Sequence, residues 1–289
     1  MANSIALAKN YIPLLDEIYK KEALTAFLGD VSGLVRQGLN GKEIIYPQYS
    51  MAGLSDYDRA TGYKNGNVKL EWKTIAPDYD RGTKFQVDTM DNLESMQLAF
   101  GALGAEFMRT QVIPESDAWT FAKIAQKTGI TAKGEDIADA TAFLDALVAA
   151  KTLMDEAEVP NTDRLLFATP TLMNALINMD TSKSKEALNA FSVRVEVPQS
   201  RFYTAITLQD TSGGDGGGFI KDVGSGKDIN FMIVHRPAII KYQKHQASDI
   251  ITPEANQTAD AYMLKFRTYA ICDVYDNKVK GVYVSHKTA

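Results

Sequence analysis

The stretch that decides the fold runs from Ile44 to Asp88. It opens Ile44-Ile45-Tyr46-Pro47-Gln48-Tyr49, crosses a turn-rich tip from Gly53 to Gly66, and returns as Asn67-Val68-Lys69-Leu70-Glu71-Trp72-Lys73-Thr74. In the return, Val68, Leu70 and Trp72 alternate with Lys69, Glu71 and Lys73, the two-residue period of a strand with one apolar face. Asn65-Gly66 tolerates positive φ at both positions and predicts the hairpin turn. A lone two-stranded ribbon is marginal in water, so its apolar face must lie on something. Either it folds over its own domain or it reaches onto another copy of the chain. Asp56, Asp58, Arg59 and Lys64 near the tip, and Asp78, Asp80 and Arg81 near the base, suit polar docking between subunits, where charge sets register. The residues alone leave both readings open.

Upstream, residues 1–42 read as an arm. Pro13 suits the first turn of a short helix carrying Leu14, Leu15 and Ile18, and Gly29, Gly33, Gly38 and Gly41 punctuate its exit. Downstream, Lys84-Phe85-Gln86-Val87-Asp88 reads as a strand. Asp91 with Glu94 then forms a helix-capping pattern. Leu93, Met96, Phe100, Leu103 and Phe107 recur at spacings of three and four, one apolar stripe over four turns. Pro114 breaks or restarts this helix, the pattern resumes to Gly129, and another helix spans about Asp136 to Glu158.

From Pro160 the character changes. Arg164–Ala168 reads as a short buried strand, and Thr169-Pro170 as a cap and first turn of a helix through Leu172 and Ile177. Strands follow near 192–197, 202–208 and 229–235, with a flexible glycine-dense loop from Gly213 to Gly226. Met263–Ala270 and Gly281–Val284 read as two strands paired with each other. Nothing repeats at a fixed period, which argues against a solenoid.

The 289 residues fit one large domain or two modest ones, and 45% hydrophobic content supplies a core. Net charge is -5 with scattered Lys and Arg, unlike the basic stripe of a dedicated nucleic-acid-binding domain. Cys272 is the single cysteine, so the chain has no internal disulfide. No run approaches the ~18 apolar residues of a membrane span, and Pro13, Asp16 and Glu17 interrupt any signal-peptide core, so a soluble protein used without export is expected.

The case for catalysis is weak. His235, His245 and His286 stand apart, and no HExxH, CxxC or Gly-x-Ser-x-Gly pattern occurs. Cys272 sits in an apolar strand pattern and reads as a small core residue. Gly224-Ser225-Gly226-Lys227 fails as a phosphate loop, because Lys221 stands where the first glycine is needed and Asp228 follows the lysine. Acidic pairs such as Asp155-Glu156 read as solvated charge, and Trp119 and Phe121 as core. No catalytic residue, cofactor or metal is expected.

The order of these pieces resembles a tailed-phage major capsid protein of the Hong Kong 97 type. The residues that carry it are Gly53-Leu54-Ser55-Asp56-Tyr57-Asp58-Arg59, Leu70-Glu71-Trp72, Asp80-Arg81-Gly82 through Phe85–Asp88, Met90-Asp91, and Glu106–Glu115. The resemblance implies an α+β fold with an N-terminal arm (1–42), an extended β-hairpin loop (43–90), a peripheral domain with a long spine helix near 91–111 (91–160 and 256–289), and an axial domain (161–255). It implies subunit contacts through the loop, with Asp56, Asp58, Arg59, Lys64, Trp72, Asp80 and Arg81 as the residues named for them. It further implies pentamers and hexamers closing an icosahedral shell around double-stranded DNA, in a virion assembled in the cytoplasm of a bacterial host. A portal is implied too, and, since the arm begins almost at Met1, scaffolding as a separate partner. No membrane is implied. Lys64, Lys69 and Lys73 are available for the crosslinking some relatives perform, but no residue set identifies that chemistry. Two other readings stand beside it: an encapsulin-like compartment shell with protein cargo, and a soluble enzyme or binding module that keeps its ribbon to itself.

Overall fold

A computed structural model of the chain describes residues 23–28, 36–37, 44–94, 103–210 and 216–288. The hairpin is β2 (Ile44–Met51) against β3 (Val68–Ile75), with β1 (Arg36–Gln37) beside the base of β2. A second sheet pairs β4 (Tyr79–Asp88) with β12 (Ala261–Val274), and β12 with β11 (Ile239–Ile251), all antiparallel. The third runs β5 (Thr131–Gly134), β13 (Val282–His286), β10 (Ile229–His235), β6 (Arg164–Ala168), β7 (Val193–Glu196). Two short strands, β8 (Ile206–Leu208) and β9 (Phe219–Lys221), pair by themselves.

The five-stranded sheet is apolar on both faces because helices cover both. On one side Leu165, Phe167, Met232, Val234, Val282 and Val284 meet Trp119, Phe121 and Ile124 of α3 (Ile113–Ala125). Phe121 packs edge-on against Phe167 and Phe202 at 5.2 and 5.0 Å between centroids. On the other side Leu166, Ala168, Phe231 and Ile233 meet α4 (Ala140–Glu156), α5 (Pro170–Met179) and α6 (Ser182–Asn189). Caps set the starts of these helices. Asp139 accepts from Ala142 N at 2.7 Å, and Thr181 and Ser184 form a reciprocal capping box. Thr169 and Pro170 begin α5 where expected, although Thr169 makes no side-chain cap bond.

Several expectations need correction. The hairpin does not turn at Asn65-Gly66. The strands part at Ala52 and Asn67, whose N–H···O bond of 2.9 Å is the last rung, and the tip turns at Asp58–Gly62, where Gly62 has φ +78°. The helix after the hairpin caps three residues earlier than expected. Its first turn, α1 (Thr89–Glu94), starts after Asp88, whose carboxylate accepts from Met90 N at 2.9 Å. Met96 and Phe100 lie outside the described residues, as does most of the arm. Pro114 neither breaks nor restarts the spine. From α2 (Leu103–Phe107) the backbone passes through a π-helical turn (Met108–Val112) directly into α3. Ile113 N reaches Met108 O, a five-residue step, so the wider turn absorbs the N–H that Pro114 lacks.

β12 and β13 do not pair with each other. A 3-10 turn at Asp276–Gly281 sends β13 into the five-stranded sheet, while β12 stays with β4 and β11. The expected boundaries at 160 and 256 therefore cut through sheets. α4 and β13, placed in the peripheral part, pack with the axial segment, and β11, placed in the axial part, pairs along its length with β12. Long-range pairing decided these partners, and local pattern carries no record of it. The glycine stretch 213–226 is likewise no uniform loop, because β9 occupies 219–221.

Candidate functional site

Directly opposed residues of an antiparallel pair share a face, so the register of β2 and β3 sorts the hairpin into two sides. The pairs Pro47↔Trp72, Tyr49↔Leu70 and Met51↔Val68 form one side. Tyr46↔Lys73, Gln48↔Glu71 and Ser50↔Lys69 form the other. The polar side faces the body of the chain. Gln48 Nε2 donates to Asn277 Oδ1 at 2.6 Å, Asn277 Nδ2 donates to Tyr49 O at 3.4 Å, and Tyr46 meets Tyr275 edge-on at 5.1 Å.

The turn beneath is braced by Lys127, whose Nζ lies 3.0 Å from Asp273 and 2.9 Å from Asp276. Its hydrogen bond and charge hold the Asp276 carboxyl below the usual carboxylate range. Burial opposes charge on Lys127, but the bonds to Asp276 and Asp273 outweigh it and raise its pKa.

Among the described residues, the apolar side has no cover. Tyr49, Met51, Val68, Leu70 and Trp72 are each 44–71% exposed. A hairpin that folded over its own domain would hide this side and wet the other. Here the orientation is reversed, and six neighbouring large side chains, Pro47 included, form a continuous solvent-facing apolar strip.

The residues named from the sequence divide into two groups. Asp56, Asp58, Arg59 and Lys64 sit on the exposed tip with Leu54, Tyr57 and Tyr63. Asp58 shapes the tip, accepting from Ala60 N at 2.8 Å and Thr61 Oγ1 at 2.9 Å, and the Ala60 bond leads in lowering its pKa. Tyr57 and Tyr63 stack edge to face at 4.9 Å. Trp72 belongs to the apolar strip. Asp80 and Arg81, by contrast, are engaged inside the chain. Arg267 of β12 grips Asp80 with two bonds of 2.9 and 2.7 Å. Arg81 Nε donates to Glu115 Oε1 of α3 at 2.8 Å, and its Nη2 donates to Gln209 O at 2.7 Å and Gly218 O at 3.3 Å.

The base of the hairpin is thus an internal junction. Arg81 ties β4 to α3 and to both stems of the glycine loop, over a cavity of about 570 Å³ lined by Phe85, Phe107 and Phe266. Tyr79 stacks on Trp119 at 4.5 Å and donates to Glu115 at 3.1 Å, and burial pushes its hydroxyl pKa far up. No local spacing in the sequence foretells Glu115 or Arg267 as partners. Tyr49 and Met51 are legible in the sequence as part of the apolar side, since they alternate with Gln48 and Ser50.

Beyond the hairpin, Asp222 organises the 222–226 turn, accepting from Ser225 N at 2.7 Å, Ser225 Oγ at 2.9 Å and Gly224 N at 3.0 Å. These bonds hold its carboxyl down at about 2. Cys272 is buried, and desolvation pushes its thiol up to about 12. Among the described residues, no group of three His, Cys, Asp or Glu side chains converges as a metal site, and no helix is long and apolar enough to cross a membrane.

No family model and no curated protein sequence matches this chain. Solved structures do. The chain superposes on a subunit of the bacteriophage PhiM1 mature capsid with a TM-score of 0.68 and 11% identity, covering 97% of this chain and 92% of the other. For the cyanophage P-SCSP1u capsid the TM-score is 0.66 at 12% identity, covering 97% and 93%. A virus-like particle from Pyrococcus furiosus matches with a TM-score of 0.51 at 10% identity, covering 82% and 86%. At such identities the likeness establishes the fold, which is the α+β capsid fold of Hong Kong 97 type.

Proposed function

We propose that this chain is the major capsid protein of a tailed bacteriophage, a structural subunit that assembles with copies of itself into an icosahedral shell around double-stranded DNA. The observation that carries the reading is the reversed hairpin, whose apolar strip has no partner within the described residues and whose polar side rests on the Asp276–Gly281 turn. Another copy is the natural cover, since repeated heterologous contacts whose rotations close build a shell. Each contact can be weak, because many contacts per subunit combine through effective concentration. The exposed charges Asp56, Asp58, Arg59 and Lys64 then set register at the hairpin tip, with Trp72 as the apolar anchor. A net charge of -5 suits a wall that does not grip packaged DNA through its phosphates.

Packaging through a portal and assembly with a scaffolding partner complete this reading. So does a place in the virion after assembly in the bacterial cytoplasm. A chain whose work is assembly needs no catalytic group. The second reading, a cellular compartment shell, draws on the Pyrococcus furiosus virus-like particle, whose coverage and TM-score are lower than those of the two phage capsids above.

Electron microscopy of the purified, concentrated protein tests the proposal, with closed shells as the expected result. Removing residues 54–65 should leave a folded subunit that no longer closes shells. Normal shells from that deletion would refute the tip's role, and a monodisperse monomer from the intact chain at high concentration would refute the function.

A further inference from the structure

The hairpin tip holds a motif that the turn does not use. Asn65-Gly66 lies on the return path, past the Asp58–Gly62 turn and before the Ala52–Asn67 rung, outside every strand and bridge. Both residues are exposed. Among the described residues, no hydrogen bond engages the Gly66 N–H or the Asn65 side chain. The surroundings of Gly66 are open: an added Cβ would meet only Ala52 Cβ, at 3.7 Å.

This freedom has chemical weight. The side-chain amide of an asparagine is an electrophile, and the next backbone nitrogen is the nucleophile nearest to it. Attack needs that nitrogen free of hydrogen bonds, and a following residue that lets the backbone fold back. Glycine alone sets no Cβ against the approach. Among the described residues, Asn65 is the only asparagine followed by glycine; Asn40-Gly41 lies outside them. Neighbouring Asn67 precedes β-branched Val68, and its carbonyl accepts from Ala52 N at 2.9 Å. Asn256 donates to Ala261 O at 3.0 Å and accepts from Thr258 Oγ1 at 2.8 Å, and Asn277 is held by Gln48.

We propose that Asn65 is a self-modifying site, which converts in the free subunit to aspartate and isoaspartate and so weakens docking of the tip. Gly66 N attacks Asn65 Cγ and closes a succinimide ring. The new C–N bond forms as the Cγ–Nδ2 bond breaks, and ammonia leaves carrying the Gly66 amide proton. Water then opens the ring at one of its two carbonyls. Opening at Cγ gives an ordinary aspartate, whereas opening at the main-chain carbonyl routes the backbone through the side chain as isoaspartate. Water is the only co-reactant, and nothing is oxidised or reduced.

Either product sets a carboxylate beside Lys64. Asp56 and Asp58 balance Arg59 and Lys64 before conversion, and the tip is acidic afterwards. The new carboxylate competes for Lys64, a cation that a docked neighbour would otherwise meet. Isoaspartate also lengthens the backbone between the turn and the last rung. The effect on docking rests on the shell-forming reading above, but the modification does not.

The first test ages the full-length chain at neutral pH, below the concentration at which it assembles, with fresh protein as the zero. Mass spectrometry of the digest reads the replacement of –NH2 by –OH, and fragmentation assigns it to Asn65 or Asn67. Asn65 should convert over days while Asn67, Asn256 and Asn277 persist. Gly66→Ala should slow the conversion about tenfold, because its Cβ obstructs the attack, with an unchanged melting temperature. An Asn65 as durable as Asn277, or a Gly66→Ala chain that converts at the wild-type rate, overturns the site whether or not shells form.

The second test fixes the product. Asn65→Asp carries the new charge from the start, whereas Asn65→Gln keeps a neutral amide. By light scattering, the assembly threshold should rise about 1.4- to 5-fold for Asn65→Asp, the worth of one exposed charge pair, and stay put for Asn65→Gln. Equal thresholds for both variants and the wild type overturn the docking effect, with the digest still deciding the chemistry. A wild-type chain that forms no shells at all removes the shell-forming reading and the docking effect together.

Discussion

Trp72→Ala separates a hairpin that docks on a neighbour from one that braces its own chain. Trp72 is 62% exposed on the apolar strip. A tryptophan hides about 150–250 Å² when enclosed, so roughly 100–150 Å² remains for another copy to cover. At about 25 cal/mol per Å² that area is worth roughly 2.5–4 kcal/mol for each docked hairpin. The contact should weaken about 60- to 700-fold, at about 1.4 kcal/mol for each factor of ten. The concentration at which shells appear, followed by light scattering, should rise by at least this factor, since each subunit makes the contact. The isolated subunit should hardly notice, because a surface substitution away from special features stays within about 0.5 kcal/mol. Its melting temperature should then move by about 1–2 °C. A melting temperature lowered by many degrees with an unchanged assembly threshold would refute the reasoning, for it would place the strip against its own chain.

Other outcomes follow from the junctions. Arg81→Ala strips the guanidinium from Glu115 and from the carbonyls of Gln209 and Gly218, and should cost about 1–3 kcal/mol in a denaturant titration. Proteolytic cutting between 209 and 218 should quicken in the same variant, and cutting at the wild-type rate would show that Arg81 does not secure the loop. Asp276 has a folded pKa below its unfolded value of about 4, so its stabilisation is full above that value and fades as pH falls through the folded one. Asp276→Asn should flatten this acid limb of melting temperature against pH, and an unaltered limb would assign it to other carboxylates. Cys272, its thiol held up at about 12 by burial, should react with thiol reagents at pH 8 only as fast as the chain opens. Rapid labelling of the folded protein would contradict its place in the core.

Local order in the chain was readable wherever burial follows a period. Arg164–Ala168 and Ile229–His235 are strands with the predicted bounds, since continuous apolar runs of that length are covered on both faces. The alternation of Val68, Leu70 and Trp72 disclosed a strand with one apolar side, and the stretch from about Asp136 to Glu158 a helix with one buried stripe, which the chain forms over Ala140–Glu156. Partners were not readable. β12 and β13 are both strands, yet β12 pairs with β4 and β13 with β5, each more than a hundred positions away, and nothing in Asp276-Asn277 records that the chain changes sheet there. Asp80 and Arg81 looked like the charges at the tip, because a sequence shows which residues are ionised and not what lies opposite them.

The sequence by itself determined that a two-faced hairpin would form, because side-chain alternation is a property of one strand. Only the tertiary structure decided which face meets the body. Gln48 and Tyr46 find Asn277 and Tyr275, partners some 230 residues distant, and that contact turns the apolar side outward. Orientation is a relation between remote segments, fixed when the whole chain packs, and the shell-building role proposed for this protein depends on it.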